Sequence, residues 1–171
     1  RSSERTFQLI TQVAGRAGRG EFKGKVIVQT YSPEHFSIQC AKKHDYVSFY
    51  NKEILLRKEF NYPPFTNIIS IIMYGENNRY VENKIKEVYN LITKEMTIKG
   101  FDISSNNIIG PNPAPLEKIK NNYRYQIIIK TKDEWLNELK NIIEWVCIKN
   151  RDKINLKDIK FNIDINPNSI L

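Results

Sequence analysis

Hydrophobic positions recur along this chain with two periods, and the places where the period changes mark its elements. Phe7, Ile10 and Ala14 stand at helical spacing behind Ser2 and Ser3, two N-capping residues, which predicts a helix over 4–14. Gly15, Gly18 and Gly20 follow, and each costs a helix about 1 kcal/mol relative to alanine, so the helix is expected to fray or stop there. Val26, Ile27 and Val28 form a β-branched run that reads as a buried strand. Pro33 behind Ser32 suits the first turn of a second helix, with Phe36, Ile38, Cys40 and Ala41 as packing positions. A third helix is expected over 45–60, with Tyr46, Phe49, Tyr50, Ile54 and Leu55 facing inward. Pro63 and Pro64 in "NYPPF" stop it, because neither carries an amide donor and each restricts the residue before it.

Beyond that break the order is regular. A strand over 65–75 precedes a helix over 77–98 with Val81, Ile85, Val88, Ile92 and Met96 along one stripe, closed by Gly100. A short strand at 107–110 leads into the stiff link "GPNPAP", and "YRYQIIIK" is a third strand. A helix over 132–149 carries Trp135, Leu139, Ile142 and Val146, with Trp135 and Trp145 expected in the core. Phe161, Ile163 and Ile165 then alternate with Asn162 and Asp164 as a last strand. The sum is β-α-β-β-α-β, so an α+β fold is expected. Its C-terminal part reads as a ferredoxin-like split βαβ domain, a four-stranded antiparallel sheet with two helices on one face. The boundary falls at the proline break, giving regions 1–61 and 62–171.

Composition changes this picture in one respect. At 171 residues the chain is long enough to bury a real core, and its formal net charge of +8 makes nucleic acid the leading partner. Cys40 and Cys147 form no CxxC pair and read as reduced, buried thiols. His35 and His44 lie nine apart with no cysteine or histidine partner nearby, which does not suit a metal site. No apolar run approaches the ~20 residues that span a bilayer, and the start lacks the apolar block of a signal peptide, so a cytoplasmic protein with no membrane partner is expected.

Two stretches carry candidate chemistry. "TQVAGRAGRG" lacks the GK[ST] ending of a phosphate-binding loop and follows a helix rather than a strand, so it is no complete nucleotide site. Its arginines, Arg16 and Arg19, are three apart and come to one side in helical backbone, where guanidinium groups can bridge phosphate oxygens. The alternative is a basic helix end with two solvated cations. The second stretch lies between the second and third strands, where Lys118, Lys120, Tyr123, Arg124 and Tyr125 set cations beside aromatics, a combination that suits phosphates and unpaired bases. There the alternative is that the two tyrosines pack on the core and the lysines are solvated. Asp133 and Glu134 open a helix and serve its N-terminal dipole.

The flanks sharpen the first stretch. "QVAGRAGR" resembles the sixth motif of superfamily-two helicases, in the second RecA-like lobe, and "ERTFQLITQVAGRAGRG" with "GKVIVQTYSPEH" resembles the PriA family of replication-restart helicases. "YPPF", "GPNPAPLEKIKNNYRYQ" and "FNIDINPNSIL" look like later landmarks of the same family, so the resemblance covers essentially the whole chain in order. It implies that the chain is the C-terminal part of a longer ATP-dependent DNA helicase: a partial RecA-like lobe, 1–61, then the family's C-terminal domain, 62–171. Such a parent binds stalled replication forks, unwinds DNA 3′ to 5′ and restarts replication through primosome assembly. Its phosphate-binding loop, DExH acids and cysteine-rich zinc insertion are expected upstream, with ATP and Mg as the parent's ligands and none expected in this region alone.

Carried over by position, Arg19 matches the arginine finger at the γ-phosphate, Arg16 stands beside the phosphates or the facing acid of the first lobe, and Gln12 links nucleotide and lobe interface. Implied partners are forked and single-stranded DNA, single-stranded DNA-binding protein and primosome proteins, and the implied location is the cytoplasm at the nucleoid. The family's domain also helps receive the acidic tail of single-stranded DNA-binding protein. Where a basic residue would start the last helix for that contact, this chain has Glu134 and Glu138. Two other function classes compete with this reading: a free-standing basic nucleic-acid-binding module without motor activity, and a protein-interaction module, which would show no salt-dependent DNA binding.

Overall fold

A computed structural model describes residues 2–17, 24–101, 103, 107–156 and 158–168. The chain forms two compact units, Arg1–Phe60 and Asn61–Leu171.

The first unit is helical: α1 (Ser2–Ala17), α2 (Phe36–Lys42) and α3 (Tyr46–Glu59). Its small core is Phe7, Cys40, Ala41 and Phe49, with Ile10 and Phe36 against it. The Phe7 and Phe49 rings stack at 4.4 Å between centroids. Helix α1 does not stop at Gly15. It continues to Ala17, whose carbonyl accepts the Gly24 amide at 3.1 Å. Gly15 is exposed with open space around its Cα, so its penalty of about 1 kcal/mol is a propensity cost that a packed helix absorbs.

Two other expectations fail here. Residues 24–30 form no strand, and Ile27 is 81% exposed. A strand needs a neighbour for its amides and carbonyls, and no sheet lies in the described part of this unit. Helix α2 starts three residues later than its proline suggested. Its N-cap is His35, whose Nδ1 accepts the Ser37 amide at 3.3 Å. Asp45 caps α3, accepting the Ser48 amide at 3.0 Å, and that bond holds its carboxyl below the usual range. Of the five inward residues expected on α3, Phe49 is buried, Ile54 is half-buried, and Tyr46, Tyr50 and Leu55 are exposed.

The second unit runs β1 (Asn67–Gly75), α4 (Asn78–Ile98), β2 (Ile108–Ile119), β3 (Asn122–Thr131), α5 (Asp133–Glu144), a π-helical turn (Trp145–Lys149) and β4 (Lys160–Ile165). This is the expected β-α-β-β-α-β order. The sheet order is β2-β3-β1-β4, and every pairing is antiparallel. All five residues of the α4 stripe are buried, against Ile69, Ile71 and Met73 of β1, Ile127 and Ile129 of β3, and Leu139, Ile143 and Val146 from the last helical segment. Asn77 caps α4 by accepting the Tyr80 amide at 3.0 Å. At its other end Gly100 adopts φ +79, with its amide on Thr97 and the Phe101 amide on the Met96 carbonyl at 2.9 Å, a Schellman closure.

Strand β2 is longer than its sequence suggests and takes in the whole "GPNPAP" segment. It is an edge strand, where prolines remove no ladder bond that a neighbour needs. Its register shifts between Ile109 and Asn112, where Gly110 has φ +108 and a Cβ would stand 2.6 Å from the Gln126 carbonyl oxygen. The two tryptophans are not core residues. Trp145 opens the π-helical turn and is 45% exposed, and Trp135 lies on the surface against Phe101 with ring centroids 4.6 Å apart. Leu136 takes the inward place one position along, packed against the core.

Candidate nucleic-acid interface

Gln12 and Arg16 are both exposed on α1. Being four apart they share one side of the helix. Gln12 also borders a cleft of about 420 Å³ between α1 and α3, with Gln8, Thr11, Tyr50 and Arg57. The Arg57 guanidinium braces the far end of that cleft, donating to Glu53 on its own helix and Glu4 on α1, both at 2.9 Å. Arg19 lies outside the described residues.

The β2–β3 hairpin holds the second set. Lys120 and Asn121 occupy its turn with φ +46 and +64, the left-handed pair that a two-residue hairpin turn requires. Strand alternation then divides the set between two faces. Tyr125 pairs with Met73 and packs against the core, with its hydroxyl donating to Asn78 Oδ1 at 2.9 Å. Burial, ahead of the nearby Glu82, pushes that phenol above its usual range. Tyr123 lies on the same side, and Lys118 stands 4.5 Å from its ring centroid and donates to its hydroxyl at 3.2 Å.

Arg124 sits between the two tyrosines in sequence and therefore faces the other way, pairing with Tyr74 of β1. Its Nη1 donates to the Leu116 carbonyl at 3.1 Å, which anchors the guanidinium along the edge strand. The structure thus keeps Lys118 with Tyr123 and separates Arg124 from both tyrosines. Two residues that sequence reasoning missed lie in the Arg124 row, Tyr74 on β1 and Lys160 on β4, since Tyr74 pairs with both Arg124 and Lys160. Only the sheet register brings these three together, although the alternation within each strand already put Tyr74 and Lys160 on the non-core side.

The remaining candidates have structural partners. His35 caps α2, as above, and among the described residues no group of three or more His, Cys, Asp or Glu could hold a metal. Glu138 is paired with Lys99 at 2.9 Å, and Glu134 lies 3.9 Å from Lys132. The Asp133 carboxylate accepts a hydrogen bond from Asn67 Nδ2. Among the described residues no helix is long and apolar enough to cross a membrane.

Residues 58–168 match the family model described as the primosomal protein N C-terminal domain. The chain belongs to the PriA family. The replication restart protein PriA of Bacillus subtilis is 38% identical over 167 residues, 98% of this chain and 20% of that protein. The protein of the same name from Synechocystis is 38% identical over 170 residues, 99% of the chain and 19% of that protein, and the one from Borreliella burgdorferi 33% over 172 residues, 100% and 24%. The chain therefore spans about a fifth of the length of these PriA relatives. Their alignments reach beyond the matched domain to take in α1, so the likeness covers the helix carrying Gln12 and Arg16 as well as the sheet.

Proposed function

We propose that this chain is the C-terminal part of an ATP-dependent DNA helicase that acts in replication restart. In this reading the helical unit belongs to a RecA-like lobe and the sheet unit is a ferredoxin-like DNA- and partner-binding domain. The observation that carries it is the similarity to replication restart proteins across nearly the whole chain, α1 included. ATP with Mg is the parent's substrate, held mainly by upstream segments. Gln12 and Arg16 suit such a divided site, because both are exposed donors on one side of α1. Arg19 supplies the finger at the γ-phosphate, where a guanidinium offsets the negative charge that develops as the phosphoryl group leaves. Zinc belongs to an upstream cysteine-rich insertion. Unwinding runs 3′ to 5′, the partners are forked DNA, single-stranded DNA-binding protein and primosome proteins, and the protein works in the cytoplasm at the nucleoid.

For the hairpin, Lys118, Lys120 and Arg124 contact backbone phosphates, Tyr123 offers a ring beside Lys118, and Tyr125 supports the strand from its bond to Asn78. The deciding experiment uses the intact parent. Arg19→Ala should lower DNA-stimulated ATP turnover by about a thousandfold or more, with DNA affinity kept. Normal turnover in that variant would remove the finger assignment.

A further inference from the structure

The sheet face turned away from the helices has two unlike halves. At one end Ile68, Ser70 and Ile128 are buried, and Lys130 lies 4.4 Å from the centroid of the Tyr62 ring. Burial lowers the Lys130 ammonium below its usual range. At the other end Ile72 and Tyr74 are half-buried while Lys160 and Asn162 are exposed. The register there sets two rows across the strands: Lys160, Tyr74 and Arg124, then Asn162, Ile72, Gln126 and Asn112. Phe161 and Ile163 pack against the core, which places Lys160 and Asn162 on the opposite face.

We infer that this open half of the sheet is a binding platform for single-stranded DNA, in which Tyr74 stacks a base, Arg124 and Lys160 hold the flanking phosphates, and Gln126, Asn162 and Asn112 meet base edges. The inference rests on the DNA-binding reading above and moves its centre from the hairpin tip to the sheet. Three features argue for this occupant. An aromatic between two cations on adjacent strands, about 10 Å apart across two strand spacings, matches a π-face for a base with a charge for the phosphate on either side.

The next row carries three amides and no carboxylate. Asp164 enters only one row further, opposite Ser70, at the buried half. Gln126 Oε1 is buried and accepts no hydrogen bond among the described residues, an unmet acceptor of the kind that an exocyclic base amine satisfies. An apolar partner surface would leave those polar groups unpaired at a cost. A duplex is also unsuited, because its bases are already stacked and cannot lie on Tyr74.

The 171-residue chain is titrated by fluorescence anisotropy against a labelled single-stranded oligonucleotide of about 15 nucleotides with mixed cytidine and thymidine, whose cytosines carry the exocyclic amine, within the range of single-strand site sizes. Tyr74→Ala should weaken binding by about fivefold to a hundredfold, and Tyr74→Phe should restore it, because the ring supplies the stacking. Lys160→Gln, at an exposed position, and Arg124→Gln should each lower the slope of log affinity against log salt by about 0.7. Lys94→Gln, on the outer side of α4, serves as the charge control and should leave binding unchanged.

If Tyr74→Ala and Lys160→Gln bind as well as the unsubstituted chain while Lys118→Gln and Lys120→Gln bind poorly, the platform is wrong and the hairpin reading survives. If the unsubstituted chain shows no salt-dependent binding, both fall. Displacement of the oligonucleotide by an acidic peptide of equal charge, with Tyr74→Ala having no effect, would also overturn the platform, since the face would then respond to charge alone.

Discussion

Ile85 and Ile98 lie on the same helix and differ in one respect: Ile85 is fully buried among β1, β3 and the last helical segment, whereas Ile98 is 66% exposed at the end of α4. Truncating either to alanine removes the same three carbons. At about 0.8 kcal/mol for each, the transfer loss at Ile85 is roughly 2.4 kcal/mol. The unfilled space adds to it, and the better helix propensity of alanine returns a few tenths, so Ile85→Ala should cost about 3 kcal/mol. At Ile98 only about a third of the area is lost, and propensity offsets most of that, leaving a change within about 0.5 kcal/mol. Trp135 and Trp145 both lie in the sheet unit, so tryptophan fluorescence during urea unfolding follows that unit. With a slope of about 1.5 kcal/mol/M, the Ile85→Ala midpoint should fall by about 2 M with the slope unchanged. A loss below about 1 kcal/mol at Ile85, or an equal loss at both positions, would refute the packing of α4 described above.

Two other predictions concern buried and paired polar groups. Burial in the core pushes the Cys147 thiol up to about 12, so the unfolded chain ionises first as pH rises. The Cys147 contribution to stability should be constant below the ordinary thiol range and fall by about 1.2 kcal/mol from pH 9 to pH 10, a loss absent from Cys147→Ala. Equal alkaline slopes for the two proteins in urea titrations would exclude this. Arg57 bonds Glu53 and Glu4, with its own side chain 18% exposed and Glu4 41% exposed. The exposed arm weakens the pair, so a double-mutant cycle of Arg57→Met with Glu4→Gln, read by thermal melting, should give a coupling of about 0.5–1 kcal/mol. A coupling indistinguishable from zero would mean that the bridge does not tie α1 to α3.

The sheet unit was legible because its signals are local and agree with one another. The α4 stripe, its Asn77 cap and its Gly100 closure lie within one continuous segment, and burial of one face is enough to select the helix. The failures have specific physical sources. Val26 to Val28 carry strand propensity, but propensity does not supply the neighbour that a strand must bond. Trp135 fits the helical period as well as Leu136 does, and which of the two turns inward depends on how α5 sits on the sheet. The prolines of β2 read as a link because their tolerance in a strand depends on edge position, a property of sheet order that no local window contains.

The same limit explains why the candidate interface was read only in part. Lys118, Lys120, Tyr123, Arg124 and Tyr125 are neighbours in sequence, and grouping them treats a strand as though its side chains pointed one way. With a period of two, Arg124 must leave its tyrosine neighbours for the opposite face. There it meets Tyr74, fifty residues earlier in the chain, and across that strand Lys160, thirty-six residues later. Such a constellation has no sequence signature, since its members share only a register. A cation and an aromatic adjacent in a strand are therefore weak grounds for a joint site, whereas the same pair opposite each other on neighbouring strands stand close enough to hold one ligand between them.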